Sequence, residues 1–199
     1  MQKRTTKIFS VIYRNEYLTI CNDYDKNKEN NLFVIILLFC TTPTRKCIQI
    51  RGVVAKKIRY ILCKNIFKKC GKNVNINRHA KFGNGYNIEI GDNSDLGINC
   101  SVPNNIIIGN DVMMAPNCFI LPAMHNFDRT DTPMRTQGCY NALPTIIDDD
   151  VWIGRNVMMT PQRHIKKGSI IAMGCILTKD FPEYSIVGGN PSKLIRSRI

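Results

Sequence analysis

The sequence predicts an all-β fold: a parallel β-helix of about five coils, with a basic helix at its N-terminal side and a short C-terminal element. Three observations predict it. Apolar residues recur at every sixth position over most of the chain. Glycine directly follows several of them. The three- and four-residue apolar spacing of a helix is missing from the same region.

The six-residue step begins clearly at Ile90 and continues through Leu96, Val102, Ile108, Met114 and Ile120. It resumes at Ile147 and runs through Ile153, Met159, Ile165, Ile171 and Leu177. All twelve positions are Ile, Leu, Val or Met, an outcome whose chance probability is on the order of 10⁻⁷. Ile76, Phe82 and Ile88 keep the same step two residues out of phase. Gly91, Gly97, Gly109 and Gly154 follow inward positions. A small or β-branched residue comes four places after many of them, as at Ser94, Cys100, Val112, Cys118, Val151, Val157, Ser169 and Cys175. The pattern describes a short strand, a turn tolerant of positive φ and another short strand. Three such hexapeptides close one triangular coil, so the inward residues stack from coil to coil. The period does not specify the hand of the coil.

Taken in chain order, residues 1–47 match no pattern and are an unassigned tail. Their apolar run, Leu32 to Cys40, has nine residues, about half of a membrane span. Thirty-one residues precede it, among them Glu16, Asp23, Asp25 and Glu29, which does not suit a signal peptide. The expectation is a cytoplasmic protein with no membrane span. Residues 48–72 carry Ile50, Val53, Val54, Ile58, Ile61, Leu62 and Ile66 at roughly helical spacing, with Arg51, Lys56, Lys57, Arg59, Lys64, Lys68 and Lys69 between. This basic amphipathic helix suits a cap on the open end of the solenoid. The alternative is contact with an anionic membrane surface, a peripheral association at the inner membrane. Residues 73–199 form the repeat domain. Residues 121–146 leave the repeat as a long excursion, and a loop thrown out of a rigid solenoid is usually functional. Beyond Phe181, the run Gly188-Gly189-Asn190-Pro191 followed by Lys193-Leu194-Ile195-Arg196 reads as a tight turn and a short terminal element.

Charge and cysteine use narrow the function. The chain of 199 residues carries a formal +13. Residues 1–72 hold 16 basic and 4 acidic residues, whereas 73–199 hold 12 and 11, so the repeat domain is nearly neutral. This distribution does not support a nucleic-acid partner for the protein as a whole. None of the nine cysteines forms a C-x-x-C pair, which argues against zinc and thioredoxin-like sites and for reduced thiols used as small apolar filler.

Several motifs occur together and in order: the hexapeptide array, Met124-His125-Asn126-Phe127-Asp128, Pro133-Met134-Arg135, Gln137-Gly138, Val151-Trp152-Ile153-Gly154, Leu177-Thr178-Lys179-Asp180 and Gly189-Asn190-Pro191-Ser192-Lys193. As a set, over about residues 60–199, they resemble the hexapeptide-repeat acyltransferases, in the branch of galactoside, maltose and polysaccharide O-acetyltransferases. The resemblance implies a left-handed β-helix, a homotrimer, and acetyl-CoA bound between neighbouring protomers. It further implies direct transfer of acetyl to a sugar hydroxyl, as in capsule or surface-polysaccharide assembly.

His125 matches the family's catalytic histidine. The chemistry suits an imidazole, because acetyl transfer to an alcohol needs a base that works near neutral pH. Asp128 is a candidate to orient the ring, and a backbone carbonyl is another. Backbone amides near the thioester would hold the oxyanion. The resemblance places Asn99 at the acceptor site and Trp152 as a wall of the acceptor or pantetheine site. Arg135 is a candidate clamp for the acceptor. Thr178, Lys179, Lys193 and Arg196 match the C-terminal CoA-binding region, with Met173 along the pantetheine groove. Two residues depart from the family pattern: Gln162 stands where the pattern has glycine in Pro-Gly-Val, and Met173 stands where it has a small residue.

Two other readings stay within reach of the sequence, a serine or small-sugar acetyltransferase and a non-catalytic trimeric β-helix scaffold. The γ-class carbonic anhydrases share the fold, but His79, His125 and His164, spaced by 46 and 39 residues, do not reproduce a three-histidine zinc site. His79 and His164 are expected on the outer surface, and Asp148-Asp149-Asp150 is expected to be a solvated turn.

Overall fold

A computed structural model describes residues 48–140 and 143–199, with only the backbone described for 48–51. The apolar run Leu32–Cys40 and the rest of residues 1–47 lie outside the described residues, as do the side chains of Ile50 and Arg51. Among the described residues, no helix is long and apolar enough to cross a membrane.

The period of six becomes a triangular prism of two-residue strands. The first face stacks β1 (Lys69–Cys70), β3 (Glu89–Ile90), β5 (Ile107–Ile108), β8 (Ile146–Ile147) and β11 (His164–Ile165), all parallel and in register. The second face carries β2 (Asn75–Ile76), β4 (Asp95–Leu96), β6 (Met113–Met114), β9 (Trp152–Ile153), β12 (Ile170–Ile171) and β14 (Ser185–Gly188). The third face has isolated bridges at Lys81 and Ser101, then β7 (Phe119–Ile120), β10 (Met158–Met159) and β13 (Ile176–Leu177). This makes five full coils, with β14 carrying the second face into a sixth. β15 (Lys193–Ser197) turns back antiparallel along β14 and ends the solenoid.

In each strand the second residue points inward. Ile90, Leu96, Ile108, Met114, Ile120, Ile147, Ile153, Met159, Ile165, Ile171 and Leu177 are all buried in one continuous core. Cys100, Cys118, Val157 and Cys175 fill a second inner column. Burial pushes the Cys175 thiol up, and the Cys100 thiol together with burial pushes that of Cys118 up. These cysteines fill the column as small side chains, and the Cys100 thiol also donates to the Ala115 carbonyl and the Cys118 thiol to those of Ala115 and Gly154.

The early phase break has a simple origin. Cys70 and Ile90 are register partners twenty residues apart, whereas Ile90 and Ile108 are eighteen apart. The two extra residues sit in the turn after Phe82, where Gly83 and Gly85 have φ of 61° and 74°. Elsewhere the corners are held by side-chain amides in the left-handed region, which Asn and Asp tolerate. Asn73 donates to Asn93, and Asn93 to Asp111, along one edge. Asn99 donates to Asn117, and Asn117 to Asn156, along the next. The glycines after inward residues are required by coil spacing. A Cβ on Gly154 would lie 2.5 Å from the Met173 amide nitrogen, a backbone atom that cannot swing aside.

The helix α1 (Ile48–Ile66) closes the first coil but ends before Lys68 and Lys69, because Cys70 already occupies the first inward column. It contributes the fully buried Cys63 to the core, with Tyr60 and Ile66 half-buried against it and Phe67 just beyond the helix end. Phe67 meets Phe82 edge-on at 5.1 Å. Arg59 donates to the Ile76 carbonyl and Tyr60 to that of Gly71. Val53, Val54 and Ile61, which belong to the apolar stripe expected from the sequence, are exposed instead. The triple aspartate is more than a solvated turn. Asp148 meets His164 Nε2 at 3.0 Å, Asp149 accepts the Asn110 amide at 2.6 Å, and Asp150 accepts from Arg198.

The sheet on the second face is interrupted between β4 and β6, where the Met114 amide donates to the Asp95 carboxylate at 2.7 Å. Burial holds the Asp95 carboxyl above its usual range, opposed by that amide and by Lys56. A raised folded-state pKa means that ionised Asp95 costs stability. The cost is fully present above the raised value and vanishes as pH falls below the ordinary carboxylate range, about pH 4. Asp95→Asn keeps an oxygen for Met114 and carries no charge. Thermal melts should show the variant at least as stable as the wild type at pH 7, with the gap closing below about pH 4. A variant that melts well below the wild type at pH 7 would show that the Lys56 attraction outweighs desolvation.

Candidate active site

The excursion between the third and fourth coils is a folded hairpin. The Asn126 amide donates to the Gly138 carbonyl (3.0 Å), and the Tyr140 amide to that of Met124 (2.9 Å). These two bonds bracket His125 and Cys139, which face each other as an antiparallel pair. Gln137 fastens the hairpin from inside, its Nε2 donating to the carbonyls of Arg129 and Thr132. Asn126 Nδ2 donates to the Gln137 carbonyl, and Phe127 packs edge-on to Tyr140. The loop can therefore hold a side chain in a fixed position outside the core.

His125 is exposed, with Nδ1 3.6 Å from Cys139 Sγ. Asp128 does not orient the ring. It accepts a hydrogen bond from the Tyr140 hydroxyl at 2.9 Å, and that bond raises the phenol pKa. Arg135 sits in the short 3-10 turn Met134–Thr136 on the same hairpin, exposed to solvent. Sequence reasoning missed Cys139 and Tyr140. The signal was the hairpin register, which the six-residue period does not contain.

The other candidates fall on different parts of the prism. Trp152 points outward from β9 and is 49% exposed. Register places it in a row with Met113, Ile170, Ile186 and Arg196 across the second face. Arg196 and Lys193 lie on β15, three strands from Trp152, a span of about 14 Å at the usual strand spacing. Met173 is 74% exposed, so its side chain leaves the corner instead of filling it. Gln162 adopts the φ of 62° that the glycine of the family pattern would supply.

Thr178 follows β13 on the third face, two coils below the point where the excursion leaves β7. Its amide donates to the buried Ser192 hydroxyl, which ties this corner to the β14–β15 turn. Lys179 lies over the Phe181 ring at 5.5 Å. Asn99 is a corner residue whose amide is engaged in the Asn99–Asn117–Asn156 ladder, three coils above Met173. His125 and Arg135 thus lie on the hairpin that follows β7, Thr178 and Lys179 follow β13, and Trp152, Lys193 and Arg196 share the second face.

No protein-family model matches the chain. Over 114 residues it is 40% identical to a Saccharomyces cerevisiae protein provisionally named an acetyltransferase, a match covering 56% of this chain and 57% of that protein. Over 140 residues it is 31% identical to the galactoside O-acetyltransferase of Escherichia coli, covering 69% of this chain and 68% of the relative. A solved hexapeptide-repeat acetyltransferase of Vibrio cholerae, complexed with acetyl coenzyme A, superposes with a TM-score of 0.68 at 25% identity. That match covers 83% of this chain and 84% of the other. The chain spans little more than half the length of the Saccharomyces protein and of a Schizosaccharomyces pombe relative, 57% and 55%. The coil has the left hand of these folds.

Proposed function

The chain belongs to the hexapeptide-repeat acetyltransferase family, and on that premise we propose that it moves acetyl from acetyl-CoA to a sugar hydroxyl. The observation that carries this reading is an exposed histidine fixed on a rigid hairpin at the family motif position. His125 acts as general base. Its Nε2 takes the hydroxyl proton as the acceptor oxygen attacks the thioester carbonyl, and returns it to the departing thiolate. Backbone amides hold the oxyanion. Both substrates are present together, so no acyl-enzyme forms.

The donor lies along the edge between two protomers of a homotrimer. Exposed apolar side chains on the second and third faces, Met113 on one and Phe119 and Met158 on the other, suit burial against a second copy. That packing brings His125 of one protomer toward the second face of its neighbour. Lys193 and Arg196 then meet the CoA phosphates, Thr178 and Lys179 line the approach, and Met173 flanks the pantetheine arm. Trp152 and Arg135 meet the acceptor, a saccharide that is free or part of a surface polysaccharide or its precursor. Asn99 keeps its ladder role.

Calorimetric titration of acetyl-CoA tests the donor site. Lys193→Ala and Arg196→Ala should each raise Kd by about 3–10-fold, the range for exposed charge-assisted contacts. Sedimentation should give a trimer in every case. Unchanged affinity in both variants would remove the β15 residues from the donor site.

A further inference from the structure

We infer that Cys139 is the positioning residue for His125: its sulfur accepts a hydrogen bond from Nδ1–H and leaves Nε2 free to act as the base. This rests on the proposed role of His125. The two residues are brought together by backbone register. Bonds from Asn126 to Gly138 and from Tyr140 to Met124 make His125–Cys139 a non-hydrogen-bonded antiparallel pair, the arrangement in which facing side chains approach most closely. The sulfur lies 3.6 Å from Nδ1, within range for a hydrogen bond to sulfur. The carboxylate nearest to it in sequence, Asp128, is engaged by the Tyr140 hydroxyl on the same hairpin.

The tautomer of a neutral imidazole is set by the hydrogen bond that its other nitrogen makes. A thiol is a weak donor and a weak acceptor, so two arrangements compete. If the thiol donates to Nδ1, the proton sits on Nε2 and the ring cannot serve as a base there. If Nδ1–H donates to sulfur, Nε2 is the base. The hairpin register fixes the ring edge against the sulfur, and only the second arrangement leaves Nε2 able to take the hydroxyl proton.

Three histidines make the test direct. Nitrogen-15 spectra of the full chain labelled at histidine should show His125 as the Nδ1–H tautomer, assigned by the signal lost in His125→Ala. Cys139→Ala should return the ring toward the Nε2–H form and lower kcat about 10-fold with the KM for acetyl-CoA unchanged. Cys139→Ser, which retains an acceptor, should keep the Nδ1–H form and at least half of kcat, roughly. An Nε2–H wild-type ring, or a Cys139→Ala enzyme with unchanged tautomer and full kcat, would overturn the assignment. Failure of the base role itself reads differently, as a His125→Ala enzyme that remains active.

Discussion

Alanine in place of His125 is expected to lower the rate of acetyl transfer by about 10²–10⁴, the usual contribution of general-base help. Affinity for acetyl-CoA should stay within about twofold, because the imidazole acts on the acceptor proton and does not hold the donor. The expectation follows from the hairpin. The ring is exposed, its Nδ1 edge is held against Cys139, and Gln137 and Asn126 keep the loop folded without help from His125. Removing the side chain therefore removes chemistry and leaves the scaffold intact. A variant retaining more than roughly a tenth of the wild-type rate would sink the base assignment.

Ile153→Ala is expected to cost about 2–5 kcal/mol, the range for emptying a packed aliphatic site. Ile153 is fully buried in the fourth coil and lies in register between Met114 above and Ile171 below. Those neighbours sit on parallel strands whose spacing is fixed by backbone hydrogen bonds, so they cannot collapse into the space. A loss of this size lowers the melting temperature by roughly 5–15 °C in a chain of this length. Substituting the exposed Glu183 by alanine should change stability by less than about 0.5 kcal/mol. An Ile153→Ala protein that melts within a degree or so of the wild type, on the scale of that control, would mean that the stacked column does not carry the fold.

The fold was largely legible because a solenoid repeats one local rule. The step of six named the inward column from Ile90 to Leu177, and the structure buries those residues. The out-of-phase Ile76, Phe82 and Ile88 became intelligible only once the two-residue insertion at Gly83–Gly85 was located. The helix shows a limit of spacing arguments. Counting aliphatic residues put Val53, Val54 and Ile61 on the inner face, whereas Cys63 and Phe67 reach the core, because a cap is positioned by the coil it covers. The sequence names His125 by motif and chemistry, and the structure puts that side chain on the surface of the hairpin. The site is less legible where a role depends on pairing. Asn99 is proposed at the acceptor site by motif, and its side-chain amide also joins a corner ladder with residues eighteen and more positions away, a pairing the motif does not encode. Asp128 is near His125 in sequence, yet it turns to Tyr140. Cys139 is fourteen residues from His125 and meets it through a hairpin register that periodicity does not encode.

The most direct test of the account is acetyl transfer itself: incubate the full chain with acetyl-CoA and a panel of mono- and oligosaccharides, and follow both thiol release and the mass of each sugar. At least one saccharide should gain an acetyl ester in step with the thiol released, and His125→Ala should lower both rates by about 10²–10⁴. A folded trimer that binds acetyl-CoA but acetylates no sugar, while transferring acetyl to an amino acid or to nothing, would contradict the proposed function.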